Sequence, residues 1–73
     1  MSKLPRNVKP QKLIKALTRL GFREIDGRGS HVRLKHIDGR WTQVAVHQKP
    51  VPQGTLRAIL RQAEIKIEEL DID

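Results

Sequence analysis

The stretch from Val32 to His47 can fold back on itself in one sensible way, and that pairing organises the rest of the chain. Apolar and polar residues alternate on both sides of Asp38-Gly39, a dipeptide that marks a hairpin turn. A two-residue loop at Asp38-Gly39 would set Ile37 opposite Arg40. His31, Arg33 and Lys35 would then share a face with Val46, Val44 and Thr42. A three-residue loop, Ile37-Asp38-Gly39, with Gly39 as the left-handed residue of a bulge, pairs His36 with Arg40 instead. Val32 and Leu34 then oppose Val44 and Thr42, with Val46 nearby, as an inner face. His31, Arg33 and Lys35 oppose Ala45, Gln43 and Trp41 on the outside. The second register is expected, because a one-residue slip would bury the charges.

Helices flank the hairpin. Pro10 suits a first helical position, and Leu13, Ile14, Leu17 and Leu20 follow one face of a helix over about 10–20, with Lys12, Lys15 and Arg19 on another. Gly21 can take the left-handed conformation that ends it, and Phe22 is placed to pack back onto Leu17. Phe22 to Asp26 reads as a short strand, although Ile25 is out of phase with Phe22; Asp26 to Gly29 reads as a turn leading into Ser30 and His31. After a loop over 48–54 holding Pro50 and Pro52, Leu56, Ile59, Leu60 and Ala63 recur at helical spacing, with Arg57 and Arg61 on the other side. Gly54 and Thr55 near its start could seat a phosphate. The expected fold is α+β, in the order α-β-β-β-α of double-stranded-RNA-binding domains: a three-stranded antiparallel sheet with two helices on one face.

Seventy-three residues make one small domain, 1–73, whose core is too small for a deep cavity, so a site should be a surface groove. No cysteine is present and the three histidines lack zinc-motif spacing, so no metal or cofactor is expected. The N-terminus has no apolar signal region and no apolar run approaches a membrane span, so a cytoplasmic protein without membrane contact is expected. The net charge of +7 is unevenly spread. Residues 1–63 hold 14 Lys and Arg against 3 Asp and Glu, while residues 64–73 hold 1 against 5. A basic arm over 1–9 and an acidic tail over 64–73 thus bracket a strongly basic body. Nucleic acid is the favoured partner of such a charge, and an acidic protein the alternative.

Chemistry is most plausible at Gly29-Ser30-His31, where a histidine follows two small residues at the head of a basic strand. His31 is the candidate catalytic residue, with Arg28, Ser30, Arg33, Lys35, Trp41 and Gln43 as candidate RNA contacts. Trp41 can stack on an unpaired base, or simply cover the Lys35 stem. His36 and His47, at strand ends, read as structural or phosphate-facing.

Spaced blocks of the sequence resemble the HicA toxin family of bacterial toxin-antitoxin pairs. They are Gly29-Ser30-His31, His36 with Asp38-Gly39-Arg40, Val44 with Val46-His47, Gly54-Thr55-Leu56-Arg57, and Ile59-Leu60-Arg61-Gln62-Ala63. The resemblance covers roughly residues 10–70. It implies an mRNA interferase, a small endoribonuclease silenced by a HicB-like antitoxin, with the family's catalytic histidine at His31. The family often has Pro where Ala45 stands, Gly where Glu64 stands, and a Ser or Thr cap where Lys66 stands; these departures bear on the C-terminal turn and leave the Gly-Ser-His block intact. RNA is cut without metal when a base takes the 2′-hydroxyl proton and that oxygen attacks the adjacent phosphorus, chemistry that suits a histidine among cations. Whether His31 is the base or the acid stays open, and the free protein is expected to be a monomer. Two alternatives are a non-catalytic RNA- or DNA-binding module using the same face, and a pure interaction protein.

Overall fold

A computed structural model describes residues 4–72, apart from the Arg28 side chain. Its elements run α1 (Pro10–Arg19), β1 (Phe22–Arg28), β2 (His31–His36), β3 (Trp41–Ala45), α2 (Gln53–Ala63) and a one-turn α3 (Ile67–Leu70). The strands form one antiparallel sheet in the order β1-β2-β3. This is the expected α+β layout, with α3 added in the acidic tail; α2 starts at Gln53, two residues inside the span read as loop.

The hairpin adopts the three-residue loop. His31 pairs with Ala45, Val32 with Val44, Arg33 with Gln43, Leu34 with Thr42 and Lys35 with Trp41. His36 N–H donates to the Arg40 carbonyl at 2.7 Å, Gly39 N–H donates back to His36 at 2.9 Å, and Gly39 has φ of 101°. Leu34, Val44 and Thr42 are buried while His31, Arg33, Lys35 and Gln43 are exposed, as alternation across a one-sided sheet requires.

Strand β1 corrects the sequence reading. It does not stop at Asp26: it runs on to Arg28, and the turn into β2 is only Gly29-Ser30, with Gly29 at φ of 58°. The register slips between Glu24, opposite Leu34, and Asp26, opposite Arg33. Ile25 is the extra residue of a bulge, which absorbs the break in phase that made the strand look short. Phe22 and Glu24 lie on the helix side; beyond the bulge it is Asp26, not Gly27, that follows Arg33 onto the outer face.

The core gathers Leu13, Ala16 and Leu17 of α1, Phe22, Leu34 and Val44 of the sheet, and Leu56, Ile59, Leu60 and Ala63 of α2, all buried. Each of the larger side chains contributes about 1.5–3 kcal/mol by leaving water. Among the described residues the one buried polar residue, Thr42, donates its hydroxyl to Gln62 Oε1 at 2.9 Å. The basic N-terminal segment is anchored from Leu4 onward: Val8 is buried, its carbonyl accepts Val51 N–H at 2.7 Å, and Gln53 donates to the Leu4 carbonyl at 3.3 Å. The part of that arm over residues 1–3 lies outside the described residues, as does Asp73.

The acidic tail turns back onto the body. Glu64 stands in the left-handed conformation, and Ile65 N–H reaches back to the Leu60 carbonyl at 3.0 Å, closing α2 in the six-to-one manner with Ile65 buried. Leu70 is buried and its carbonyl accepts from Arg19 at 2.9 Å. Among the described residues no helix is long and apolar enough to cross a membrane.

Candidate functional site

Because both long helices pack on the inner face, the outer face of the sheet is left open, and the register arranges it in three cross-strand rows. Arg23, Lys35 and Trp41 form the first, Asp26, Arg33 and Gln43 the second, and Arg28, His31 and Ala45 the third. The structure therefore brings together most of the residues singled out from the sequence. For Arg28 only the backbone, opposite His31, is described. Ser30 is half-buried, and its carbonyl accepts the Val46 N–H that closes the far end of the hairpin.

Asp26, His31, Arg33 and Gln43 line an open depression of about 300 Å³. Arg33 is its hub: Nη1 lies 3.9 Å from Asp26 Oδ2, and the guanidinium carbon sits 5.4 Å from the Trp41 ring centroid. Trp41, 42% exposed, is thus a shelf under Arg33, with Lys35 directly opposite it. A guanidinium resting on an indole keeps its donors free at the edge, where an anion can take them. Small Ala45 beside His31 leaves the imidazole accessible, and among the described residues the His31 side chain makes no hydrogen bond and no ion pair.

The other end of β2 is arranged differently. His36 is half-buried, its ring edge-on to Phe22 with centroids 5.2 Å apart. Asp38 N–H donates to His36 Nδ1 at 3.1 Å, and Asp38 Oδ1 lies 3.0 Å from that nitrogen. Arg40 Nε donates to both Asp38 oxygens, at 3.1 and 2.8 Å, while its Nη1 donates to the carbonyls of Ala63 and Glu64 at the end of α2. The Arg40 backbone N–H bonded to Asp38, with the guanidinium beside it, holds the Asp38 carboxyl below the usual aspartate range. His36 is thus part of a structural lock. His47, exposed past the end of β3, faces a separate groove with Pro10 and Lys49. Thr55 of α2 lines a further groove beside Trp41 and Gln43.

Sequence reasoning missed two residues. Arg40 reads only as the residue paired with His36 across the loop and as part of the Asp38-Gly39-Arg40 block, and nothing in its neighbours announces the helix end it reaches. Asp26 was assigned to a turn, yet Ile25 being out of phase with Phe22 was the signal: one bulge there carries Asp26 outward. Among the described residues no group of three or more His, Asp or Glu side chains could hold a metal ion.

Comparison with known families supplies a further finding. The family model described as the HicA toxin of bacterial toxin-antitoxin matches residues 10–65, a span that contains the whole sheet and both long helices. No curated protein matches the chain.

Proposed function

The chain belongs to the HicA toxin family of bacterial toxin-antitoxin systems, and from that premise we propose that it is an endoribonuclease that cuts mRNA with His31 as a proton-transfer residue. The observation that carries this reading is the depression itself: an exposed imidazole whose side chain has no internal partner among the described residues, beside a half-exposed guanidinium that rests on Trp41, on a chain of net charge +7. Cleavage by the neighbouring 2′-hydroxyl needs a proton removed from that hydroxyl, a proton given to the departing 5′-oxygen, and cations against the charge on phosphorus. His31 serves one proton transfer. Arg33 and Lys35 hold phosphate oxygens, Trp41 and Gln43 meet the exposed bases, and Arg28 and Ser30 border the site. The reaction proceeds in the cytoplasm, where its mRNA substrate is.

A toxin needs restraint, and a shallow open face has no lid of its own. The antitoxin partner of this family member, a HicB-like protein, inhibits by covering His31 and competing with RNA for Arg33 and Lys35. An acidic surface suits that purpose.

The test is purified protein on a defined single-stranded RNA in EDTA, beside His31→Ala. Cleavage should fall by a factor of about 100 or more, while RNA binding stays within a few-fold. Wild-type cleavage by the variant would remove His31 from the chemistry. Binding without cleavage by the wild type would leave a non-catalytic RNA-binding module.

A further inference from the structure

Resting on the ribonuclease reading above, we infer that Asp26 is the second proton-transfer residue: its carboxylate takes the 2′-hydroxyl proton, and His31 gives a proton to the 5′-oxygen. The bulge at Ile25 is the first observation. Without it Asp26, like Phe22 and Glu24, would fall on the helix side; with it Asp26 stands opposite Arg33 on the outer face. The depression is the second, for it holds two side chains able to exchange a proton, Asp26 and His31, with Arg33 and Gln43 between and beside them.

Spacing is the third. Asp26 and His31 are diagonal neighbours on adjacent antiparallel strands, since Arg28 is opposite His31 and Arg33 opposite Asp26. Diagonal neighbours stand roughly 7–8 Å apart. An acid and a base working on opposite sides of one phosphate each need hydrogen-bond reach, about 3 Å, to their own oxygen. They must therefore be separated by the reacting group plus two hydrogen bonds, and a directly facing pair would be too close. Arg33, 3.9 Å from Asp26 on the same outer face, occupies the place where the phosphate charge develops.

The step balances as an in-line transesterification. The 2′-oxygen forms its bond to phosphorus as its proton passes to an Asp26 carboxylate oxygen. The bond from phosphorus to the 5′-oxygen breaks as that oxygen takes a proton from the His31 imidazolium. The products are a 2′,3′-cyclic phosphate and a free 5′-hydroxyl. Proton exchange with water then restores both side chains.

The simpler role for Asp26 is to hold Arg33, or to compete with phosphate for it, and that role makes the opposite prediction. The experiment compares wild type, His31→Ala, Asp26→Asn and Asp26→Glu on cleavable RNA, with affinity read on the same RNA bearing a 2′-O-methyl at the scissile nucleotide. Asp26→Asn should cleave about 100-fold or more slowly and bind the methylated RNA as tightly as wild type or tighter, because a negative charge has gone. The wild-type rate should fall on the acidic side of its pH profile. That fall should be missing from the Asn variant and kept by Asp26→Glu. Cleavage by Asp26→Asn within threefold of wild type, or slowed with the low-pH fall intact, overturns the assignment. If the wild type cuts RNA and only His31→Ala is dead, the Asp26 assignment alone fails; if the wild type does not cut, the ribonuclease reading fails and takes it along.

Discussion

Strand β2 begins and ends with a histidine, and the two ends put the same side chain to opposite uses. At one end His31 follows a two-residue turn, lies exposed beside Ala45, and its side chain has no hydrogen-bond or ion-pair partner among the described residues. At the other, His36 is wedged against Phe22, bonded to Asp38, and tied through Arg40 to the end of α2. Imidazole chemistry is common to both; availability is not. For the proposed proton transfer the imidazole has to be reachable by substrate, and the strand carrying it has to be fixed. The lock at the His36 end ties the hairpin loop to the end of α2 through Arg40, while the His31 end is left open.

Removing the lock should have the largest effect on stability. Arg40 donates to two helix carbonyls and to both oxygens of Asp38, and its guanidinium lies 5.3 Å from the Phe22 ring centroid. Arg40→Ala should cost on the order of 2–3 kcal/mol in urea unfolding, a large share of the stability of a small domain. Arg40→Lys should recover less than half, because an ammonium cannot span both partners. RNA cleavage per folded molecule should remain unchanged at a temperature where both variants stay folded. A loss below about 0.5 kcal/mol for Arg40→Ala would mean the contrast between the two ends is one of exposure only.

What was legible follows the same division. The hairpin register, the two helices and the outer-face placement of His31, Arg33, Lys35, Gln43 and Trp41 follow from alternation and from Asp38-Gly39, because a slip would bury charge. Neither Arg40 nor Asp26 follows from regular two-residue or helical periodicity. Arg40 acts across 23 residues of sequence, at Ala63, and helical spacing does not say which turn a helix end will meet. Asp26 depends on one extra residue at Ile25, and a period-two reading has no place for a bulge unless the phase break is taken as its sign. Val8, an apolar residue without periodic neighbours in a basic segment, is buried for a similarly non-local reason, and its carbonyl accepts the Val51 N–H.

Glycines at the two ends sharpen the comparison with a smaller effect. Gly29, at the open end, has φ of 58° and nothing within 4 Å of where a Cβ would stand, so Gly29→Ala should cost only about 1 kcal/mol of backbone strain. Gly21, beside the lock, has φ of 100°, and a Cβ there would lie 2.7 Å from His36 Nε2. That ring cannot swing away without leaving Phe22 and Asp38, so Gly21→Ala should cost at least about 2 kcal/mol. Adding His36→Ala to Gly21→Ala should return part of the difference. Equal losses at Gly21 and Gly29 by thermal unfolding would show that the His36 ring is free to move, and that the lock does not include it.

The smallest expected effect is on pH dependence, and it isolates Asp38. Its carboxylate accepts the Arg40 backbone N–H at 3.1 Å and lies beside the guanidinium, and both favour the ionised form in the folded protein. The folded pKa is therefore below the unfolded one, so the ionised carboxylate stabilises the fold. That contribution is complete above the unfolded value, about 3.9 for aspartate, and is lost as the pH falls from there through the folded value. Asp38 is open to solvent, so the contribution is small. It should be visible as a difference between wild type and Asp38→Asn. The gap between their melting temperatures should be constant from neutrality down to about pH 5, then shrink as wild type loses the charge the variant never had. His31-dependent cleavage at neutral pH should be indifferent to Asp38→Asn, since no bond of Asp38 reaches the outer depression. A gap that stays the same down to about pH 2.5 would show that the Asp38 charge adds nothing, leaving the Arg40 bonds to Ala63 and Glu64 as what fixes the closed end of the strand.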